Sequence, residues 1–468
     1  MKAGKHFLYA HIFVASVSTL WLILNLVFWA RFTNLDFFGD GAWWSQAALR
    51  WIETGWPSVP LSGVPQLDEI GWGPFMIWLH VGTLALSFKL FGLSYFSSIL
   101  PSIIAMALAI TLAGFTIVRV GEGRPSALAL FLFLAASPLL LAKAHSARPE
   151  ALVMLWVSGG AFAILSGKVW LRRLGLIILP LCFWIHPLAI VIPIGVFLVL
   201  IYYNITKRRF FSETIWLFGG LIGVTTLSLT ITVLAGRLAF LDVIIGAYSP
   251  GVGAHRVAIH WYLLVLVLAF LGFSFWAIKR IELDSENPFL KIVLVGMVIL
   301  PMLIAMRPNR IYQFTYPLLV LASYPIYLYI SSKKRWLGWL FWAGLIGFLG
   351  LAWARSYIPT YFAQNPIYMA KAAQIAERNR EIIASADSAL FRLKGESVFF
   401  WFLPKRLQLG AARYAPGDPL PPKVLIFLPA DSPPEDPSLS VIDSLDLGFA
   451  YSSYGRFSFT KVYLLLSE

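Results

Sequence analysis

Apolar runs of about twenty residues follow one another along most of this chain, and that pattern leaves few folds open to it. Runs such as Tyr9–Ala30, Phe96–Val118 and Thr214–Leu234 each match the thickness of a bilayer core. With no water inside the bilayer to satisfy backbone N–H and C=O groups, such runs must be helices. Composition agrees, since 59% of the 468 residues are hydrophobic and only 13% are charged. Read in order, the runs give about eleven spans, starting near residues 9, 96, 126, 151, 174, 188, 214, 261, 289, 312 and 336. The segment from Leu174 to Ile185 is short for a full crossing and ends at His186-Pro187. The first run is too long for a signal-peptide core and lacks a small-residue cleavage site, so it reads as a retained span.

The net charge of +14 suggests nucleic acid until its distribution is considered. Arg119 and Arg124, Lys168 to Arg173, Lys207 to Arg209, Lys279-Arg280 and Lys333 to Arg335 all fall in loops on one side of the span series. Positive loops stay in the cytoplasm, so the N-terminus lies inside and everything from Arg355 onward lies outside. The charge orients a membrane protein and excludes a nucleic-acid partner. The single cysteine, Cys182, excludes a disulfide framework or a thiolate metal cluster.

The first outer loop, Leu35 to Pro74, is rich in acids. Gly41 to Thr54 within it has helical spacing, with Trp43, Ala47, Leu49 and Ile52 roughly on one side and Ser45, Gln46, Arg50 and Glu53 on the other. That predicts a half-buried helix lying along the membrane face with an acid at its N-terminal entry. Pro74 to Phe91 is apolar, but a crossing there would reverse every later basic loop, so it reads as a second interfacial helix. From Arg355 the composition changes. A helical stretch from Gln364 to Phe391 precedes strand-like SVFFWF, KVLIFLP and FSFTKVYLLL, separated by Pro, Gly and Asp clusters. The expected architecture is an all-α polytopic membrane domain over 1–354 and a small extracytoplasmic α/β accessory domain over 355–468.

Polar residues collect at the outer span ends: Asp36, Asp40, Glu53, Asp68, Glu69, His145, Arg148, Glu150, His186, Asp242, His255, Arg256, His260, Arg307 and Arg310. Any one of them is most simply an interfacial side chain facing water. Their concentration on one side predicts a polar cavity opening outward, because charge near a membrane is costly unless it meets water, a partner or a substrate.

Four stretches, GDGAWWSQAALRWIETG, GPFMIWLHVGTLALSFKLFGLSYFSSILPS, AHSARPEALVMLW and NRIYQFTYPLLVLASYP, together resemble segments of the GT-C glycosyltransferases, most closely the protein O-mannosyltransferase and aminoarabinose-transferase branch. GDGAWWSQAALRWIETG is similar to the family's first-loop acid and aromatic-rich juxtamembrane helix. GPFMIWLHVGTLALSFKLFGLSYFSSILPS resembles its second juxtamembrane helix and the entry to the next span. AHSARPEALVMLW and NRIYQFTYPLLVLASYP resemble its Ala-Arg-Pro-acid and Arg-Tyr-x-x-x-x-Pro segments. The resemblance implies an enzyme that moves a sugar from a polyprenyl-phosphate donor to a lipid, glycan or protein acceptor outside the membrane. It implies Asp40 as the catalytic acid, with Arg310, Arg148 and Arg307 against the donor phosphate. Asp36, Asp68, Glu69, Glu150, His186 and His255 become candidates for lining the substrate pocket. The chain departs from the pattern at Gly41, where the family often has Glu, at Trp72-Gly73-Pro74, where one branch has Glu-Lys-Pro, and at His186-Pro187 in place of Lys-Gly. His255 and His260 leave a divalent metal open. An O-antigen ligase or polymerase would carry its large outer loop late in the chain. A transporter or flippase would place ionisable groups at mid-membrane.

Overall fold

The computed structural model describes residues 2–31, 40–60, 78–206, 212–234, 269–270, 272–277, 280, 288–304, 308–356, 361–391, 396–413, 423–429, 439–445, 450–452, 455–457 and 462–467. Among these, six helices are long and apolar enough to cross a membrane, seven if one bent pair is a single span. Ten of the eleven expected spans are helical; the run from Trp261 to Ile278 lies largely outside the described residues. The count by length falls below eleven because Glu150–Ile164 and Phe289–Leu303 are short, and the Leu174 run breaks into an α-helix, Val169–Ile178, and a 3-10 turn, Leu179–Trp184.

The first helix, α1, spans Lys2–Val27. Two juxtamembrane helices follow, α2 over Asp40–Thr54 and α3 over Trp78–Phe91. Gly92, at φ +75°, supplies the left-handed turn that lets α3 double back. The next helix, α4 (Tyr95–Val120), starts on a reciprocal cap in which the Ser97 amide donates to Ser94 Oγ and the Ser94 amide donates to Ser97 Oγ. A bent span comes next, α5 (Pro125–Ala135) and α6 (Pro138–Ala144), meeting at 47°. Pro138 has no N–H to continue the ladder, hence the bend. At the bend, the carbonyl of Ala136 accepts from the Trp353 indole at 2.9 Å.

Helix α7 spans Glu150–Ile164 and packs on α4. After α8 (Val169–Ile178) and α9 (Val191–Thr206) comes α10, Glu213–Leu234. Helix α9 lies close against a π-helical stretch, Ile292–Ile299: a Cβ on Gly195 would stand 2.2 Å from the Gly296 carbonyl oxygen. Pro308–Lys333 and Arg335–Ser356 form α11 and α12. Trp339, Ile346 and Leu351 on α12 are exposed, as expected of a helix that faces lipid tails.

Beyond residue 361 stand helices α13 (Tyr361–Arg378), α14 (Arg380–Ser385) and α15 (Lys405–Gly410) beside a five-stranded sheet. The strands are β1 (Ser388–Phe391), β2 (Ala412–Arg413), β3 (Val424–Pro429), β4 (Leu439–Leu445) and β7 (Val462–Ser467), in order β2-β1-β3-β7-β4. Strand β1 runs parallel to β2 and β3, and β7 antiparallel to β3 and β4. A separate hairpin joins β5 (Ala450–Ser452) to β6 (Gly455–Phe457). Two local expectations fail. SVFFWF lies in a 3-10 segment, Glu396–Phe402, and Ser388–Phe391, expected to be helical, is a strand. Unbroken aromatic runs carry no period that separates strand from helix. Here Phe399 stacks on Phe427 of β3 at 5.0 Å, so the run covers the sheet instead of joining it.

Candidate active site

Of the polar residues that the sequence places at one end of the spans, Arg148 and Glu150 come together, and Lys143 joins them. Helix α7 opens on Glu150, a position where backbone N–H groups and the helix dipole favour a carboxylate. Its Oε1 lies 3.5 Å from Lys143 Nζ, at the end of α6, and 3.1 Å from Arg148 Nε. All three side chains are almost fully buried, at 1%, 3% and 7% exposure. Charges this buried persist only in close pairs. The Arg148 carbonyl accepts from Ser102 of α4 at 3.5 Å.

A second contact ties α1 to the same loop. Asn25 Nδ2 donates to the Trp21 carbonyl at 2.7 Å, which turns its Oδ1 toward His145 Nε2, also at 2.7 Å. His145 therefore donates from Nε2, and burial lowers its pKa from 6.5 to about 3, so it is uncharged. Tyr95, at the head of α4, donates to the His145 carbonyl at 3.2 Å.

His80 on α3 bridges this loop to α2. It is fully buried, its Nε2 is 3.4 Å from the Ala147 carbonyl, and its ring meets Trp44 edge-on at 6.3 Å. Burial lowers its pKa to about 4. Glu150 and Arg148 lie near enough to act on it with opposite sign.

Asp40 is the first residue of α2, one helical turn before Trp44. It is described through its backbone, as is Arg310 at the start of α11. His186 heads the short turn Pro187–Ile190. Its Nδ1 accepts from the Leu188 amide at 3.2 Å, capping a short 3-10 turn, and its ring lies 5.0 Å from Phe314, one turn beyond Arg310. Asp36, Asp68, Glu69, Asp242, His255, Arg256, His260 and Arg307 lie outside the described residues. Among the described residues, no three His, Cys, Asp or Glu side chains gather into a metal-ligand set.

One expectation is overturned outright. The polar face of α2 does not lie toward water. Ser45 and Gln46 are fully buried, because helix α15 covers that face. Gln46 Nε2 donates to the carbonyls of Gln408 and Ala411 at 3.0 and 2.7 Å, and Arg50 Nη1 to that of Leu409 at 2.9 Å. Glu53 pairs with Lys405. The opposite face packs Trp44, Ala47 and Ala48 onto Val81, Leu84 and Phe88 of α3. Sequence reading also passed over Lys143 as a site residue. The signal was present: an ionisable side chain inside the apolar run LLLAKA marks a functional position.

ArnT from Cupriavidus metallidurans bound to undecaprenyl phosphate superposes with a TM-score of 0.55 at 14% identity, covering 97% of each chain. The fold is that of ArnT. ArnT in its apo state gives 0.54 at 14% identity, covering 96% of this chain and 97% of its own. No protein-family model and no curated protein sequence matches the chain.

Proposed function

We propose that this protein is a membrane glycosyltransferase that moves a sugar from a polyprenyl-phosphate donor to an acceptor hydroxyl on the extracytoplasmic face. The observation that carries the reading is a juxtamembrane helix headed by Asp40, joined through His80 to the buried Lys143–Glu150–Arg148 cluster, in a fold shared with ArnT. ArnT is an aminoarabinose transferase whose crystal structure holds undecaprenyl phosphate. The basic loops support placing the opposite end of the bundle in the cytoplasm.

In the proposed reaction the acceptor oxygen attacks the anomeric carbon from the face opposite the phosphate. The bond from that carbon to the phosphate oxygen breaks, and polyprenyl phosphate leaves with the bonding pair. Asp40 takes the hydroxyl proton as general base, and the sugar inverts. Phosphate leaves readily, so the site needs cationic stabilisation more than a strong acid. Arg310, Arg148 and Arg307 are assigned that role, since a guanidinium fork matches two phosphate oxygens.

The test is mass analysis of envelope lipids and glycans from cells with and without the gene, complemented by wild type and by Asp40→Asn. Asparagine caps a helix as well as aspartate does, so folding should survive. Transfer should fall by roughly 100-fold or more, the scale of losing a general base. No missing sugar in the deletion, or wild-type transfer by Asp40→Asn, overturns the proposal.

A further inference from the structure

Helix α2 is held on two sides. Its apolar side lies on α3, and its polar side is bonded to a segment more than 350 residues later in the chain. The contact begins at the first turn: Ala42, two residues after Asp40, is packed in one apolar core with Ala372, Ile375, Phe399 and Phe400. It continues through Gln46 and Arg50 and ends at Glu53, at the four- and three-residue spacing of one helix face.

The acceptors are the closing carbonyls of α15 and the residue after it, groups that a helix cannot satisfy internally. Gln46 donates to two of them with one nitrogen, at zero exposure. Gln408 is fixed in turn, its own Nε2 donating to the Phe400 carbonyl at 2.7 Å. Beside Phe400, Trp401 meets Tyr95 edge-on at 5.5 Å, and Tyr95 holds the His145 loop. The C-terminal region therefore touches the helix that carries Asp40 and, through Tyr95, reaches the loop that leads to Glu150.

From this we infer that Gln46 and Arg50 are positioning residues: through them α15 fixes the axial position and roll of α2, and so where the Asp40 backbone stands relative to the Glu150 cluster. The inference rests on the assignment of Asp40 as the base. Gln46 and Arg50 touch no reacting atom in this account. Their effect is on geometry, and about 1 Å of misplacement can cost on the order of 100-fold in rate.

The experiment uses full-length protein purified in detergent. Membranes from cells lacking the gene serve as the probe, since they hold both unused donor and unmodified acceptor. Rates are measured against increasing membrane for wild type, Gln46→Met, Arg50→Met, Arg50→Lys, Asp40→Asn and Asp40→Asn combined with Gln46→Met. Gln46→Met keeps side-chain length and removes the donor. It should lower kcat by roughly 10- to 100-fold with apparent KM within about twofold. In the Asp40→Asn background the same change should cost nothing further, because its effect passes through Asp40. Arg50→Lys should recover most of what Arg50→Met loses. Wild-type turnover by Gln46→Met, or losses that multiply with Asp40→Asn, overturns the inference. If Gln46→Met does not fold, Arg50→Met, at the half-buried edge of the contact, decides in the same way. A fully active Asp40→Asn overturns the base assignment instead, and the kcat of Gln46→Met alone then settles whether α2 must be held for turnover.

Discussion

Replacing Glu150 with glutamine separates a buried ion cluster from an exposed one of the same geometry. The substitution keeps size and hydrogen-bonding capacity and removes one negative charge. Lys143 and Arg148, at 3.5 and 3.1 Å from the carboxylate, then stay buried without it. Breaking a buried pair by neutralising one partner costs about 3–5 kcal/mol, mostly the desolvation of the charge left behind. Domains of roughly 200 residues lose about 2–4 °C of Tm per kcal/mol, and longer chains lose less, so a fall of about 5–10 °C is expected. The control is Glu122→Gln. Glu122 pairs with Arg124 at 3.0 Å, but those side chains are 71% and 53% exposed. Solvent screens such a pair, and its loss should move Tm by no more than about 1 °C. Both are measured by tryptophan fluorescence during heating in detergent. An unchanged Tm in Glu150→Gln, or equal shifts in the two variants, would refute the argument that burial sets the energy of this cluster.

Other outcomes follow from the same geometry. Arg310→Lys keeps the charge but loses the fork, so the apparent donor KM should rise by roughly tenfold with expression unchanged; an unaltered donor KM in Arg310→Ala would remove Arg310 from the donor site. Reporter fusions after Arg335 and after Arg355 should report opposite sides of the membrane. Finding both on one side would mean that α12 does not cross. His145 is held neutral by burial with its pKa lowered from 6.5 to about 3. The unfolded chain protonates first, so the stability from this group is complete above pH 6.5 and is lost as the pH falls toward 3. His145→Gln keeps an N–H toward Asn25 and should flatten the acid-side loss of Tm across that window; an identical slope in both proteins would show that His145 does not control it.

The six or seven helices long enough to cross were legible because apolar length alone marks them, whatever the neighbours do. Arg148 and Glu150 were picked out by the resemblance of AHSARPE to a family segment and by their place at a span end, while their pairing in the buried state was not. Lys143 was not singled out, since it reads as an ordinary basic residue of the outer loop KAHSARPE, and nothing in the sequence shows that it is buried against Glu150. The covering of α2 was illegible for a deeper reason. An amphipathic helix presents the same pattern whether its polar face meets water or another segment's carbonyls, and here the carbonyls belong to residues 408 to 411. Short runs such as SALF and SVFFWF lacked a period long enough to distinguish strand from helix.

The bond from Gln46 to Gln408 joins residues 362 positions apart. During synthesis, α2 emerges early and enters the membrane face together with α3, long before α15 exists. For most of translation α2 therefore lacks the bonds that Gln46 and Arg50 make to α15. A ribosome that stops anywhere between Ser356 and Lys405 leaves a protein with every span inserted and no lock on that helix. With Asp40 in its proposed role as the base, the docking of α15 on α2 is the last step in assembling that end of the molecule, and a chain truncated before α15 should show no transfer activity.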